Sequence, residues 1–175
     1  MLKKILLVLL LVIAAILIYA ATKPDTYRVE RSVSISAPPE KPFALIDDFH
    51  NWDLWSPWAH LDPSVKVTYS GASSGKGAVY AWEGNSKVGA GRMEILDDAP
   101  PTQVHIKLDF FKPMQGTSMT EFDVTPEGNG TRVKWMMSGD MNYVSKVMCV
   151  FTSMDKMIGK DFEKGLQKIK TQAEK

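Results

Sequence analysis

Ten apolar side chains and one guanidinium hold most of the chemical capacity of this chain. Trp55, Trp58, Tyr80, Trp82, Phe110, Trp135, Met137, Met148, Phe151 and Met154 are the large, polarisable groups from which an apolar pocket is built. Methionine adds adaptability, because its thioether fits ligands of varied shape. Arg31 stands in register with Val29 and Val33, on the apolar side of an alternating segment, and is the one charged strand residue so placed. From there it meets a ligand carboxylate or phosphate, or pairs with an acid at the rim. General acid–base chemistry would need titratable groups aimed into the same pocket. The alternation sends them the other way. His105, Lys107 and Asp109 are out of phase with Val104, Ile106, Leu108 and Phe110, and Glu121, Asp123, Arg132 and Lys134 are out of phase with Phe122, Val133 and Trp135. These charges read as cross-strand pairs on a solvated face, and no catalytic residue is assigned.

The remaining motifs are weaker. His50 and His60 stand ten positions apart, which is no recognised ligand spacing, and no carboxylate–histidine cluster accompanies them. Neither a metal nor another cofactor is therefore expected. Cys149 lies between Met148 and Val150 with no local base, and one thiol forms no internal disulfide. GASSGKG (71–77) has three residues before its Gly-Lys where a phosphate loop needs four, and a strand pattern follows it. Asn129-Gly130-Thr131 matches a glycosylation sequon, and a hairpin turn accounts for the same residues. Lys156, Lys160, Lys164 and Lys168 recur every four residues with Asp155, Asp161 and Glu163 interleaved, as on a solvated helix face. The chain carries 21 basic and 20 acidic side chains; with Lys3 and Lys4 set aside at the terminus, the rest is near neutral and lacks the footprint for nucleic acid.

The elements that must position these residues follow from hydrophobic period. Of the 175 residues 45% are hydrophobic and 23% charged, with one cysteine, which excludes a disordered tail and a disulfide-stapled mini-domain. Ile5–Ala21 is an unbroken apolar run after Lys3 and Lys4. As a helix it spans roughly 26 Å, slightly short of a ~30 Å hydrocarbon core. Tyr19 and Ile18 sit where a cleavage site needs a small residue, so 1–22 reads as a retained membrane anchor rather than a cleaved signal. The basic flank puts the N-terminus in the cytoplasm and exports the rest, to the periplasmic or extracellular side. After a linker at 23–26, residues 27–175 suffice for one domain.

Tyr27–Ala37 alternates as a half-buried strand, and Pro38-Pro39 ends it. A helical segment from Glu40 to Phe49 follows, then one or two turns around Trp52, Trp55 and Trp58. Six further strands run to about Met137, with Asn129-Gly130 as the clearest hairpin signal. From Asn142 one helix is predicted nearly to the C-terminus, with Gly159 and Gly165 as places where it bends. The fold class is α+β, with a curved seven-stranded antiparallel sheet around a long C-terminal helix, two short helices between strands 1 and 2, and an N-terminal transmembrane helix.

VERSVSISAPPEKPFALIDDFHNWDLWSPW, GKGAVYAWEGN, VGAGRMEI, TRVKWMMSG and MDKMIGKDFEKGLQKIK, in that order and spacing, resemble the SRPBCC superfamily. This is the START-like or Bet v 1-like helix-grip fold, and the resemblance is to polyketide cyclase/dehydrase-type bacterial proteins. It covers about Val29 to Lys170. It implies a hydrophobic cavity between the sheet and the last helix, in members that bind lipids, sterols, polyketides or plant hormones, or catalyse cyclisation or dehydration. The expectation is a membrane-anchored binding protein for a hydrophobic small molecule or lipid, with no protein partner named. The alternatives are a cyclase- or dehydrase-like enzyme on an apolar substrate, and a non-catalytic scaffold with a filled core.

Overall fold

Strict alternation dictates one sheet, and the computed structural model, which describes Met1 to Lys175, contains it. Its strands are β1 Thr26–Ile35, β2 Lys66–Gly71, β3 Ala78–Glu83, β4 Ala90–Ala99, β5 Gln103–Lys112, β6 Gly116–Glu127 and β7 Gly130–Asp140. They lie in the order β1-β7-β6-β5-β4-β3-β2, every neighbour antiparallel. Register then assigns the faces. Val29 opposes Met137, Arg31 opposes Trp135 and Phe122 opposes Trp135 from the other side, so these side chains share the concave face. Charges on the convex face pair with one another: Lys134 with Asp123 across β7 and β6 at 2.9 Å, as expected, and Lys107 with Asp109 along β5 itself at 3.0 Å.

Helix α1 (Leu2–Ala21) precedes the sheet, and α2 (Glu40–Asp47) with a 3-10 helix (Phe49–Leu54) fills the β1–β2 connection. The tryptophans of that connection are tied to the helix before them. Trp52 Nε1 donates to the Ile46 carbonyl at 2.8 Å and Trp55 Nε1 to the Leu45 carbonyl at 2.7 Å. Each indole thus satisfies its polar atom while burying its rings.

The C-terminal segment departs from the predicted single helix. It divides into α3 (Tyr143–Phe151) and α4 (Met154–Ala173), broken at Thr152–Ser153, where both residues are extended and Ser153 Oγ caps α4 by accepting from the Lys156 amide at 3.2 Å. The two glycines do not bend α4; they let it approach the sheet. A Cβ on Gly165 would lie 2.8 Å from the Trp135 ring, and one on Gly159 would collide with the Arg31 guanidinium. The last hairpin also shifts by one residue. Glu127 pairs with Gly130, so Gly128 and Asn129 form the turn, and Gly128 takes the positive φ (57°) that the motif requires.

Candidate functional site

The concave face carries a continuous chain of rings. Phe110, Trp82, Tyr80, Phe49, Trp52, Trp55, Trp135 and Phe162 follow one another with centroids 4.0 to 6.1 Å apart. Trp58 joins it 5.8 Å from Trp135. Six of the residues singled out from sequence, Trp55, Trp58, Tyr80, Trp82, Phe110 and Trp135, are therefore brought together. Met137 is buried in the same core, and Met154 packs against it from the start of α4. Burial grades along the chain. Trp55 and Trp135 are fully enclosed, whereas Trp58, Tyr80, Trp82 and Phe110 keep part of their surface open, as do Met154 and Ile158. The open members are a wall on which an apolar molecule can lie.

Met148 and Phe151 are not part of this wall. They sit on α3, exposed, because the break at Thr152–Ser153 separates that helix from the one covering the sheet. Arg31 is on the concave side, as its register predicts, and its Nη1 and Nε are engaged within the protein. Nη1 donates to Asp155 at 2.7 Å and to the Glu30 carbonyl at 2.8 Å, and Nε donates to Glu163 at 2.8 Å. Both carboxylates belong to α4, so the guanidinium clamps β1 to that helix, forming the rim pairing with nearby acids. Those hydrogen bonds hold the arginine firmly charged and the Asp155 carboxyl below its usual range.

Three features of this face escape a search for charged groups. Ser118 and Thr120 are in phase with Phe122 on β6, so two hydroxyls point inward. Ser118 Oγ is 2.8 Å from the Tyr27 hydroxyl, and burial pushes that phenol up. Thr120 Oγ1 and Trp135 Nε1 are buried with no hydrogen-bond partner, on residues 3% and 1% exposed. They belong to successive same-face pairs of the β6–β7 ladder, Thr120 opposite Met137 and Phe122 opposite Trp135, with the outward pair Glu121–Met136 between them. A buried donor or acceptor left unmatched costs about 1–3 kcal/mol. The inward period of Ser118 and Thr120 was the sequence signal for this polar pair. Tyr80 is pushed up to about 12 by burial, so this phenol keeps its proton at neutral pH and cannot serve as a base.

The open hollows of the surface lie elsewhere. One of about 710 Å³ runs beside Tyr27, Ser118 and Gly139, and one of about 430 Å³ beside Phe110, Phe111 and Gly116. Few of the residues lining either hollow are hydrophobic, unlike those of the aromatic wall.

An antiparallel sheet gripping a C-terminal helix over an aromatic concave face defines the helix-grip class of small-molecule proteins. A family model described as polyketide cyclase/dehydrase and lipid transport matches residues 26–174, and the chain belongs to that family. Solved structures agree on the fold. Protein CV1439 from Chromobacterium violaceum is 17% identical with a TM-score of 0.59, the match covering 87% of this chain and 99% of that one. BexL, a di-domain aromatase/cyclase from the BE-7585A biosynthetic pathway, is 16% identical with a TM-score of 0.61, over 90% of this chain and 53% of that one. An uncharacterised protein from Rhizobium leguminosarum is 12% identical with a TM-score of 0.62, over 85% and 95%. No curated protein matches the sequence.

Proposed function

We propose that this is a membrane-anchored binding protein whose concave face takes up an apolar small molecule or lipid bearing one hydrogen-bonding group. The observation that carries the reading is the open part of the ring chain, where Trp58, Tyr80, Trp82 and Phe110 keep part of their surface uncovered. A ligand that lays its apolar body along these four removes that surface from water, and a polar atom turned inward faces the side of the sheet on which Thr120 Oγ1 and Trp135 Nε1 stand without partners. Family membership supports small-molecule binding or cyclisation as the range of possibilities. Along the ring chain binding is favoured over turnover because its one titratable member is the Tyr80 phenol, raised by burial, while Arg31 is held by α4. The apolar α1, with Lys3 and Lys4 in its first turn, supports an anchor with its N-terminus in the cytoplasm and the domain on the opposite side.

The test uses residues 27–175 freed of the anchor. Its native mass is recorded, and an organic extract is searched for a stoichiometric apolar compound. All five tryptophans lie in or beside the ring chain, so titration with the recovered compound will quench or shift their emission. An empty extract, with no emission change on incubation with membrane lipid, would overturn the carrier reading in favour of the filled scaffold. Chemical conversion of the compound would instead establish the enzyme.

A further inference from the structure

Helix α3 has a composition that water does not explain. Its nine residues, YVSKVMCVF, include one charge and no buried residue. Tyr143, Val144 and Phe151 are 49%, 56% and 73% exposed, and Met148 is exposed beside them. A helix this short is marginal in water even with a favourable sequence, and contiguous exposed apolar side chains mark a contact surface.

Its position says what the contact is. α3 packs along the C-terminal half of α1. The Tyr143 hydroxyl donates to the Leu17 carbonyl at 2.8 Å, and Ala20, three residues on, is fully buried. Among the large apolar side chains of α1 the least exposed are Ile13, Ile16 and Leu17, and they share one helix face with the buried Ala20. From Ile13 to Ala20 is about 10 Å along the axis, comparable with the depth of roughly 5–10 Å at which interfacial helices lie. The single charge, Lys146, is withdrawn: its side chain is 12% exposed and ion-paired with Asp25 in the linker above α1. The same end of the sheet carries a second apolar feature. Ladder pairing puts the β5–β6 turn beside the start of β1 and the end of β7, and that turn exposes Phe111 and Met114.

We infer that α3 is an interfacial membrane helix, its Tyr143, Val144, Met148 and Phe151 face lying in the leaflet against α1. The inference rests on α1 being a membrane span. Its consequence is geometric: α3 leads through Thr152–Ser153 straight into Met154 and Ile158, so the open aromatic wall meets the bilayer and an apolar ligand reaches it without crossing water.

The test uses the full chain in vesicles of phosphatidylcholine with a minor fraction of phosphatidylglycerol. Cys149→Ser removes the native thiol, and single cysteines are introduced by Phe151→Cys, Val144→Cys, Leu10→Cys or Lys164→Cys and labelled with an environment-sensitive fluorophore. Probes at 151, 144 and 10 are expected to be quenched several-fold more by doxyl-labelled lipid than by aqueous iodide, and the probe at 164 the reverse. If 10 is lipid-quenched while 151 and 144 respond to iodide, the anchor stands and the α3 inference falls. If 10 itself responds to iodide, the anchor fails, and the α3 inference with it. Shielding of 151 and 144 from both quenchers would mean that protein, a second copy or a partner, covers the helix, and this too overturns the inference.

Discussion

Two halves of the concave face use the same side chains for different ends. On the β1–β7–β6 side, α4 lies close, Trp135 is stacked between Phe122 (centroids 5.0 Å) and Phe162 (4.0 Å, planes 3° apart), and Arg31 bolts the helix down through Asp155 and Glu163. On the β3–β4–β5 side, Tyr80, Trp82 and Phe110 form ring pairs of similar spacing, yet each keeps part of its surface open because no helix seals them. Aromatic content alone does not distinguish core from site; the helix that covers one half and not the other does. Small residues set that boundary. Gly159 and Gly165 permit α4 to seat on Arg31 and Trp135, and Gly91 lies under the Trp82 ring, holding it flat on β4.

The comparison breaks most sharply at Trp135. Trp135→Ala empties the stack and is expected to destabilise the domain by about 3–5 kcal/mol in denaturant titration. A loss under 1 kcal/mol would mean that the closed half is not the core. Trp82→Ala, its counterpart in the open half, is expected to cost about 1–2 kcal/mol, including its hydrogen bond to the Val88 carbonyl at 2.9 Å, while weakening uptake of an apolar ligand more than any other single change on the wall. Equal stability losses for the two would erase the distinction.

A smaller effect sits at the far end of the open half. Asp47, at the end of α2, is pushed up to about 6 by burial and by Asp98, and its Oδ1 has no partner. A carboxyl raised in the folded state holds its proton more tightly there than in the unfolded chain. Stability therefore declines as pH rises from 3.8 to about 6. Asp47→Asn should remove that decline and add about 1 kcal/mol at neutral pH, discounted for partial exposure; thermal melts across pH check it. The smallest effect is at the clamp. Arg31 holds the Asp155 carboxyl below its ordinary range, so this pair contributes above that range and is lost as pH falls through the depressed value. Arg31→Met should flatten the acid limb of the stability profile and leave the neutral plateau little changed, because the pair is exposed to solvent.

Much of this was legible in the residues. Val104, Ile106, Leu108 and Phe110 alternate with His105, Lys107 and Asp109, and the sheet turns those faces in and out respectively. The seven strands, the short helices after Pro39 and the apolar N-terminal helix also followed from period and composition. Arg31 was correctly set on the inner face, but its partners lie 124 and 132 residues away, beyond any local pattern. Met148 and Phe151 were misassigned to the wall, since a three- and four-residue apolar spacing continues unbroken through Thr152–Ser153 even though the backbone does not.

Alternation and helical period are local properties of the backbone, set by 2.0 and 3.6 residues per repeat, so the sequence by itself determined which side chains share a face and how many strands there are. Which face meets which partner depends on distant surfaces approaching, and there the tertiary structure decided. It split the last helix, gave α3 to α1 and α4 to β1, enclosed Trp135 and left Trp82 open. The physical reason is that burial depends on close approach between chain segments, and the glycines that allow such approach show their purpose only when the opposing ring or guanidinium is in place.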